Sequence, residues 1–140
     1  MWHSFKPDLV QAPYNVFDRR LDESGYLQRM NQENVEVHAR SIFLQGLLLM
    51  SEDSRPAKFS KWAAVWSRWE SWLSENGIAP VQAAVSFALS DRRISKVVVG
   101  VDSLDQFKNI ITMANNVGKF PESFHITDTR LLNPSDWSSL

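Results

Sequence analysis

Apolar positions along the chain follow two periods. Residues 8–12 (DLVQA) form a short β-rich run that stops at Pro13, and residues 35–39 (VEVHA) form a second, with apolar side chains at alternate places. Other stretches repeat at three and four residues. Residues 14–21 read as a loop leading into a modest helix over 23–31, which Gly25 weakens. After a polar loop over 51–55, Pro56 suits the start of a helical region. Trp62, Val65, Trp66, Trp69 and Leu73 make one stripe there, and Asn76-Gly77 stops it. Pro80 opens the next helix in its first turn, with Val81, Ala84, Val85, Ala88 and Leu89 along one face and residues 90–93 at its end. Residues 94–99 (ISKVVV) predict a third strand. Its unbroken Val97-Val98-Val99 predicts burial on both faces, as in parallel sheets. Gly100 closes that strand, and Ser103-Leu104-Asp105-Gln106 fits a capping box that starts a helix running to about Asn115. Leu104, Phe107, Ile111 and Ala114 are expected to face its core. From Gly118 onward the tail reads as irregular, pinned by Trp137.

Strand, helix, strand, helix pair, strand, helix implies parallel βα units joined by right-handed crossovers, so the fold class is α/β. Ligands of such sheets bind beyond the carboxyl ends of the strands. Here those ends are residues 11–15, 40–46 and 100–106. This places the polar interruptions of "ARSIFLQGLLLM" (39–50), namely Arg40, Ser41, Gln45 and Gly46, where a strand hands over to a ligand-facing loop.

Composition narrows the setting. A chain of 140 residues, 44% hydrophobic and 22% charged, is ordinary for one folded domain. The net charge of -1 leaves no basic excess for a nucleic-acid backbone, and no Lys/Arg cluster points to a membrane surface. With no cysteine there is neither a disulfide framework nor a thiolate metal site, and residues 1–6 lack the apolar core of a signal peptide, so the cytoplasm is the expected location.

Several residues have a structural reading that outweighs a functional one. The Trp62, Trp66, Trp69 stripe is expected to be core or interface, since its helical spacing makes a single apolar face. His3, His38 and His125 lack metal-ligand spacing. Residues 18–23 (DRRLDE) mix both signs, as a solvated loop does. Ser41 has no G-x-S-x-G context for a nucleophile.

"DLVQAPYNVFDRRL", "ARSIFLQGLLLM" and "VVVGVDSLDQFKNI" together resemble the last three strand-end motifs of the aldo/keto reductase family, over about residues 8–113, and the end "NPSDW" is also similar to family C-termini. The resemblance implies the C-terminal part of a (β/α)8 TIM barrel, about three parallel βα units plus a tail over 118–140, with residues 1–140 one incomplete domain. It implies an NAD(P)H-dependent oxidoreductase that reduces a small-molecule carbonyl by hydride transfer. Gln11 matches the residue that holds the nicotinamide carboxamide. Ser41, Ile42, Phe43, Leu44, Gln45 and Gly46 match the loop that wraps the pyrophosphate. Gly100, Asp102, Ser103 and Gln106 match the adenosine end. Arg40 stands where many members stack an aromatic ring on the nicotinamide, and a guanidinium can also stack. Asn109 and Ile110 replace a Glu-Asn pair often found near the adenine. The catalytic Asp, Tyr, Lys and His of the family belong to the first four strands, whereas the resemblance starts near strand six, so no catalytic residue is assigned here. The missing N-terminal part of the barrel, or self-association, is then expected to cover the open edges. A non-catalytic fragment or interaction module is the competing reading.

Overall fold

The computed structural model describes residues 6–122 and 124–140; His3 lies outside them. Three parallel strands, β1 (Leu9–Pro13), β2 (Glu36–Arg40) and β3 (Lys96–Val97), form one sheet in the order β1-β2-β3. Leu9 pairs with Glu36, Gln11 with His38 and Pro13 with Arg40, and the register continues from His38 to Lys96. Side chains alternate between the faces of a strand. Val37 and Ala39, both fully buried, therefore share the face packed into the core, and Leu9, Gln11, His38 and Arg40 share the more open one.

Helices connect the strands. The segment after β1 forms α1 (Arg20–Glu23) and α2 (Tyr26–Gln32). The single helix expected over 23–31 is split because Gly25 sits in the left-handed region, at φ +77°, and caps the start of α2. Residues 18–23 are less solvated than their charges imply. Asp18 is buried, its carboxylate gripped by Arg20 at 2.7 and 2.8 Å, and the Asn15 side-chain oxygen accepts the N–H groups of Phe17 and Asp18 at 3.0 and 2.9 Å.

The tryptophan stripe becomes the core. A 3-10 segment (Ala57–Trp62) runs into α3 (Ala63–Asn76), which ends at a left-handed Gly77. Phe17, fully buried, lies 5.4 Å from Trp66, 5.8 Å edge-on from Trp69 and 5.7 Å from a stacked Phe124. Each indole N–H of the stripe has an acceptor, as buried Trp requires: Asp128 for Trp62, the Phe59 carbonyl for Trp66 and the Leu48 carbonyl for Trp69, all at 3.0–3.1 Å.

The tail carries more order than its sequence implied. It contains α6 (Thr129–Leu132) and a 3-10 turn (Pro134–Ser139), and it buries Phe124, Ile126, Leu131 and Leu132. Trp137 does pin it, donating to the Leu131 carbonyl and standing edge-on to Phe59 at 5.0 Å. Arg19 adds a second clasp by donating to the carbonyls of Pro121 and Glu122 while its guanidinium lies 4.7 Å over Phe87.

Three expectations are corrected. The third strand is two residues long rather than six, and Val98 is 40% exposed, because β3 is the sheet edge with a neighbour on one side only. On α5 (Leu104–Asn115), Leu104, Phe107 and Ile111 are 63%, 48% and 45% exposed; of the expected face Ala114 touches the core, and Ile110 and Met113 join it there. On α4 (Pro80–Ser90), Ala83 and Phe87 are buried beside Ala84, Val85 and Ala88, while Leu89 faces out.

A polar network ties the end of α4 to the loop after β1. Tyr14 donates to Asp91 at 3.0 Å, and Arg93 bridges Asp91 at 2.6 Å and Asp22 at 2.7 Å. Burial pushes the Tyr14 hydroxyl up, and Asp91 adds to that. Burial alone would also raise Asp91, but the hydrogen bonds from Arg93 and Tyr14 outweigh it and hold the carboxyl below its usual range. A depressed carboxyl contributes stability above its unfolded pKa, near 4, and loses it as pH falls through the folded value. We therefore expect the denaturation midpoint to fall as the pH drops below about 4. Asp91→Asn should flatten that acid limb, as read from urea midpoints across acid pH.

Candidate functional site

The loop after β2 and the turn after β3 face each other across a cleft of about 730 Å³. Ser41, Ile42, Phe43, Gln45 and Gly46 line it from one side, and Gly100, Asp102 and Gln106 from the other. Pro80 and Val81, at the start of α4, also contribute.

The β2 loop has an unusual backbone. Ser41, Leu44 and Gln45 take φ of +55°, +48° and +54°, and Gly46 follows at +87°. For a side-chain-bearing residue this region costs on the order of 1–2 kcal/mol, so something must hold the loop there. The apolar residues do so as pegs: Ile42, Leu44, Leu47 and Leu48 are all at most 2% exposed. Short turns add to them, with Leu44 N–H donating to the Ser41 carbonyl and Gly46 N–H to the Phe43 carbonyl, each at 2.9 Å. The Asn15 amide, reaching from the loop after β1, also donates to the Ser41 carbonyl at 3.0 Å. The loop mixes greasy and polar residues because Ile42, Leu44, Leu47 and Leu48 anchor it while Ser41, Gln45 and Gly46, with Phe43 beside them, line the cleft. Among the described residues, the N–H groups of Ile42, Phe43 and Gln45 donate to no protein acceptor. Such clustered, unpaired N–H groups form a concavity suited to an anion.

The opposite wall is built by the start of α5. Ser103 Oγ accepts from the Gln106 N–H at 3.2 Å, as the capping box requires. Gln106 does not complete the box at Ser103: its side-chain oxygen takes the N–H of Asp102 at 2.8 Å, fixing the turn one residue earlier. Asp102, the one ionisable residue in the lining among the described residues, is exposed.

Four of the positions chosen from sequence lie outside the lining. Gln11, in the middle of β1, and Arg40, the last residue of β2, stand on the open sheet face, and Arg40 donates to Ser41 Oγ at 3.2 Å. Leu44 is a buried peg, and Ser103 caps α5. The sequence reading missed Leu49, Pro80, Val81, Val98 and Val99 as lining residues, and Asn109 and Ile110, noted as departures, line the cleft too. In the apolar run 47–50, Leu49 alone reaches the cleft; Leu47 and Leu48 point into the core. Pro80 carried a usable signal, since a helix start beside strand ends is a ligand-facing position.

The two described histidines each contact a glutamate. His38 lies 2.7 Å from Glu36, which Lys96 approaches at 3.2 Å, and those two neighbours, His38 first, hold the Glu36 carboxyl below its ordinary range. His125 pairs with Glu23. Among the described residues no His, Asp and Glu cluster could hold a metal ion, and no helix is long and apolar enough to cross a membrane.

Parallel strands leading into helices, with a cleft beyond the strands' carboxyl ends, are compatible with part of an α/β barrel. The chain belongs to the aldo/keto reductase family, whose profile matches residues 3–127. That membership makes it, at family level, an oxidoreductase domain. Comparison with curated proteins finds no match.

Proposed function

We propose that this chain is the C-terminal, cofactor-binding portion of an NAD(P)-dependent aldo/keto reductase, spanning about strands six to eight of the barrel, and that the cleft holds a nicotinamide dinucleotide. The observation that carries this reading is the cleft itself, which unites the loop over 41–46 with the start of α5. The donor set fits the ligand. Unpaired N–H groups of Ile42, Phe43 and Gln45 offer hydrogen bonds to a pyrophosphate, and left-handed Gly46 lets the loop turn without a side chain at the bend. Gln11 on β1 and Arg40 at the end of β2, both on the open sheet face, orient the nicotinamide; the bound group supplies the hydride that reduces a carbonyl. The exposed apolar side chains of α5 and the free edge of β3 are covered, in this reading, by the preceding N-terminal part of the barrel, which supplies the catalytic tetrad.

Cofactor choice follows from charge. Among the described residues no basic side chain lines the cleft, and Asp102 would stand near the adenosine ribose. A carboxylate accepts hydrogen bonds from ribose hydroxyls but repels a 2′-phosphate. The full-length enzyme is therefore expected to show no strong preference for NADPH over NADH. Charge-assisted hydrogen bonds are worth about 1.5–3 kcal/mol, so Asp102→Arg should improve NADPH binding by roughly tenfold or more. Dissociation constants for both reduced cofactors, on wild type and variant, test this. A wild-type NADPH preference above about tenfold, or an arginine variant without gain, refutes it.

A further inference from the structure

The guanidinium of Arg40 stands at the rim of the cleft. Arg40 ends β2 on the open sheet face, is exposed, and donates to the hydroxyl of Ser41, where the cleft wall begins, at 3.2 Å. That contact occupies only part of its donor fork. Among the described residues no carboxylate pairs with it, whereas Arg20, Arg55, Arg93 and Arg130 each hold one. The other charges of this face, Glu36, His38 and Lys96, contact one another. The cleft therefore has an uncompensated cation at one edge and the carboxylate of Asp102 on the opposite wall.

We propose that Arg40 makes the site selective for the reduced form of the dinucleotide, so that NADH binds more tightly than NAD⁺. This rests on the dinucleotide reading. With the adenosine end at the start of α5 and the pyrophosphate on the loop over 41–46, the nicotinamide extends past Ser41 towards Arg40. The oxidised ring carries a positive charge and the reduced ring is neutral, while the rest of the molecule is the same in both. A unit charge about 4 Å from another shifts an equilibrium at least about fivefold, even at the dielectric of bulk water. Net charge works the other way. The chain carries -1 and Asp102 faces the cleft, so at longer range the less negative NAD⁺ is the favoured form. A preference for NADH that disappears with the charge of residue 40 is thus a local effect of the guanidinium.

The test is isothermal titration calorimetry of the 140-residue chain with NADH and with NAD⁺, beside the variants Arg40→Gln and Arg40→Glu. The position is exposed, so neither substitution opens the core. NADH should bind the unmodified chain at least about fivefold more tightly than NAD⁺. Arg40→Gln should bring the two affinities close to parity, and Arg40→Glu should turn the preference towards NAD⁺. Equal affinities in the unmodified chain, or a preference for NADH that survives both substitutions, would overturn the proposal and leave the dinucleotide reading standing. Failure of both forms to bind would overturn the two together.

Discussion

The 140-residue chain alone should reduce no aldehyde above background with either reduced cofactor. Carbonyl reduction needs a proton for the forming alkoxide, and general acid catalysis contributes typically ~10²–10⁴-fold. The cleft holds no such acid. The chain has two tyrosines. Tyr26 lies on α2, 53% exposed, and Tyr14 is buried with its hydroxyl committed to Asp91 and its pKa pushed up. Neither lines the cleft, where Asp102 is the lone ionisable group among the described residues. Following cofactor absorbance over a broad aldehyde panel checks this. Turnover by the purified chain would mean that an acid works from a place the structure does not indicate.

Phe17→Ala should be among the most damaging single substitutions. Its ring is fully buried between Trp66, Trp69 and Phe124, which belong to α3 and the tail, so its loss opens a cavity shared by distant parts of the chain. Buried Phe→Ala changes cost about 3–5 kcal/mol, against a typical domain stability of roughly 5–15 kcal/mol. Leu104→Ala is the matched control. Exposed at 63%, it should cost under about 0.5 kcal/mol in urea denaturation. Equal losses for the two would contradict the placement of α5.

That contrast shows what the sequence could and could not say. The Trp62, Trp66, Trp69 face was legible because the 3-10 segment and α3 present it continuously to one core, the end of β1 was legible because Pro13 marks it, and the start of α5 because the Ser103 cap does. The α5 stripe was legible as a face that needs cover, but its partner is not written in the period of Leu104, Phe107 and Ile111. The run 94–99 likewise records β-propensity, yet how many residues pair depends on the neighbours beside β3. On α4 the polar positions Gln82, Ser86 and Ser90 recur every four residues as an outward face would, yet Ser86 is fully buried and accepts the Gly118 N–H at 2.9 Å, so periodicity chose Leu89 over Ala83 and Phe87. In the candidate site, Gly46 announced a turn, while the left-handed Ser41, Leu44 and Gln45 defied local preference because tertiary pegs hold them. Asp18 read as solvated because the Asn15 turn that buries it has no charge signature.

Mapping backbone amide shifts of the 140-residue chain during titration with NADH decides whether the cleft binds a dinucleotide. Saturable shifts are expected at Ile42, Phe43, Gln45 and Gly46 together with Gly100, Asp102 and Gln106, with competition by an adenosine diphosphate fragment at the latter group. Binding that perturbs a different surface, or no perturbation of these amides by NADH through the millimolar range, would contradict binding in the cleft.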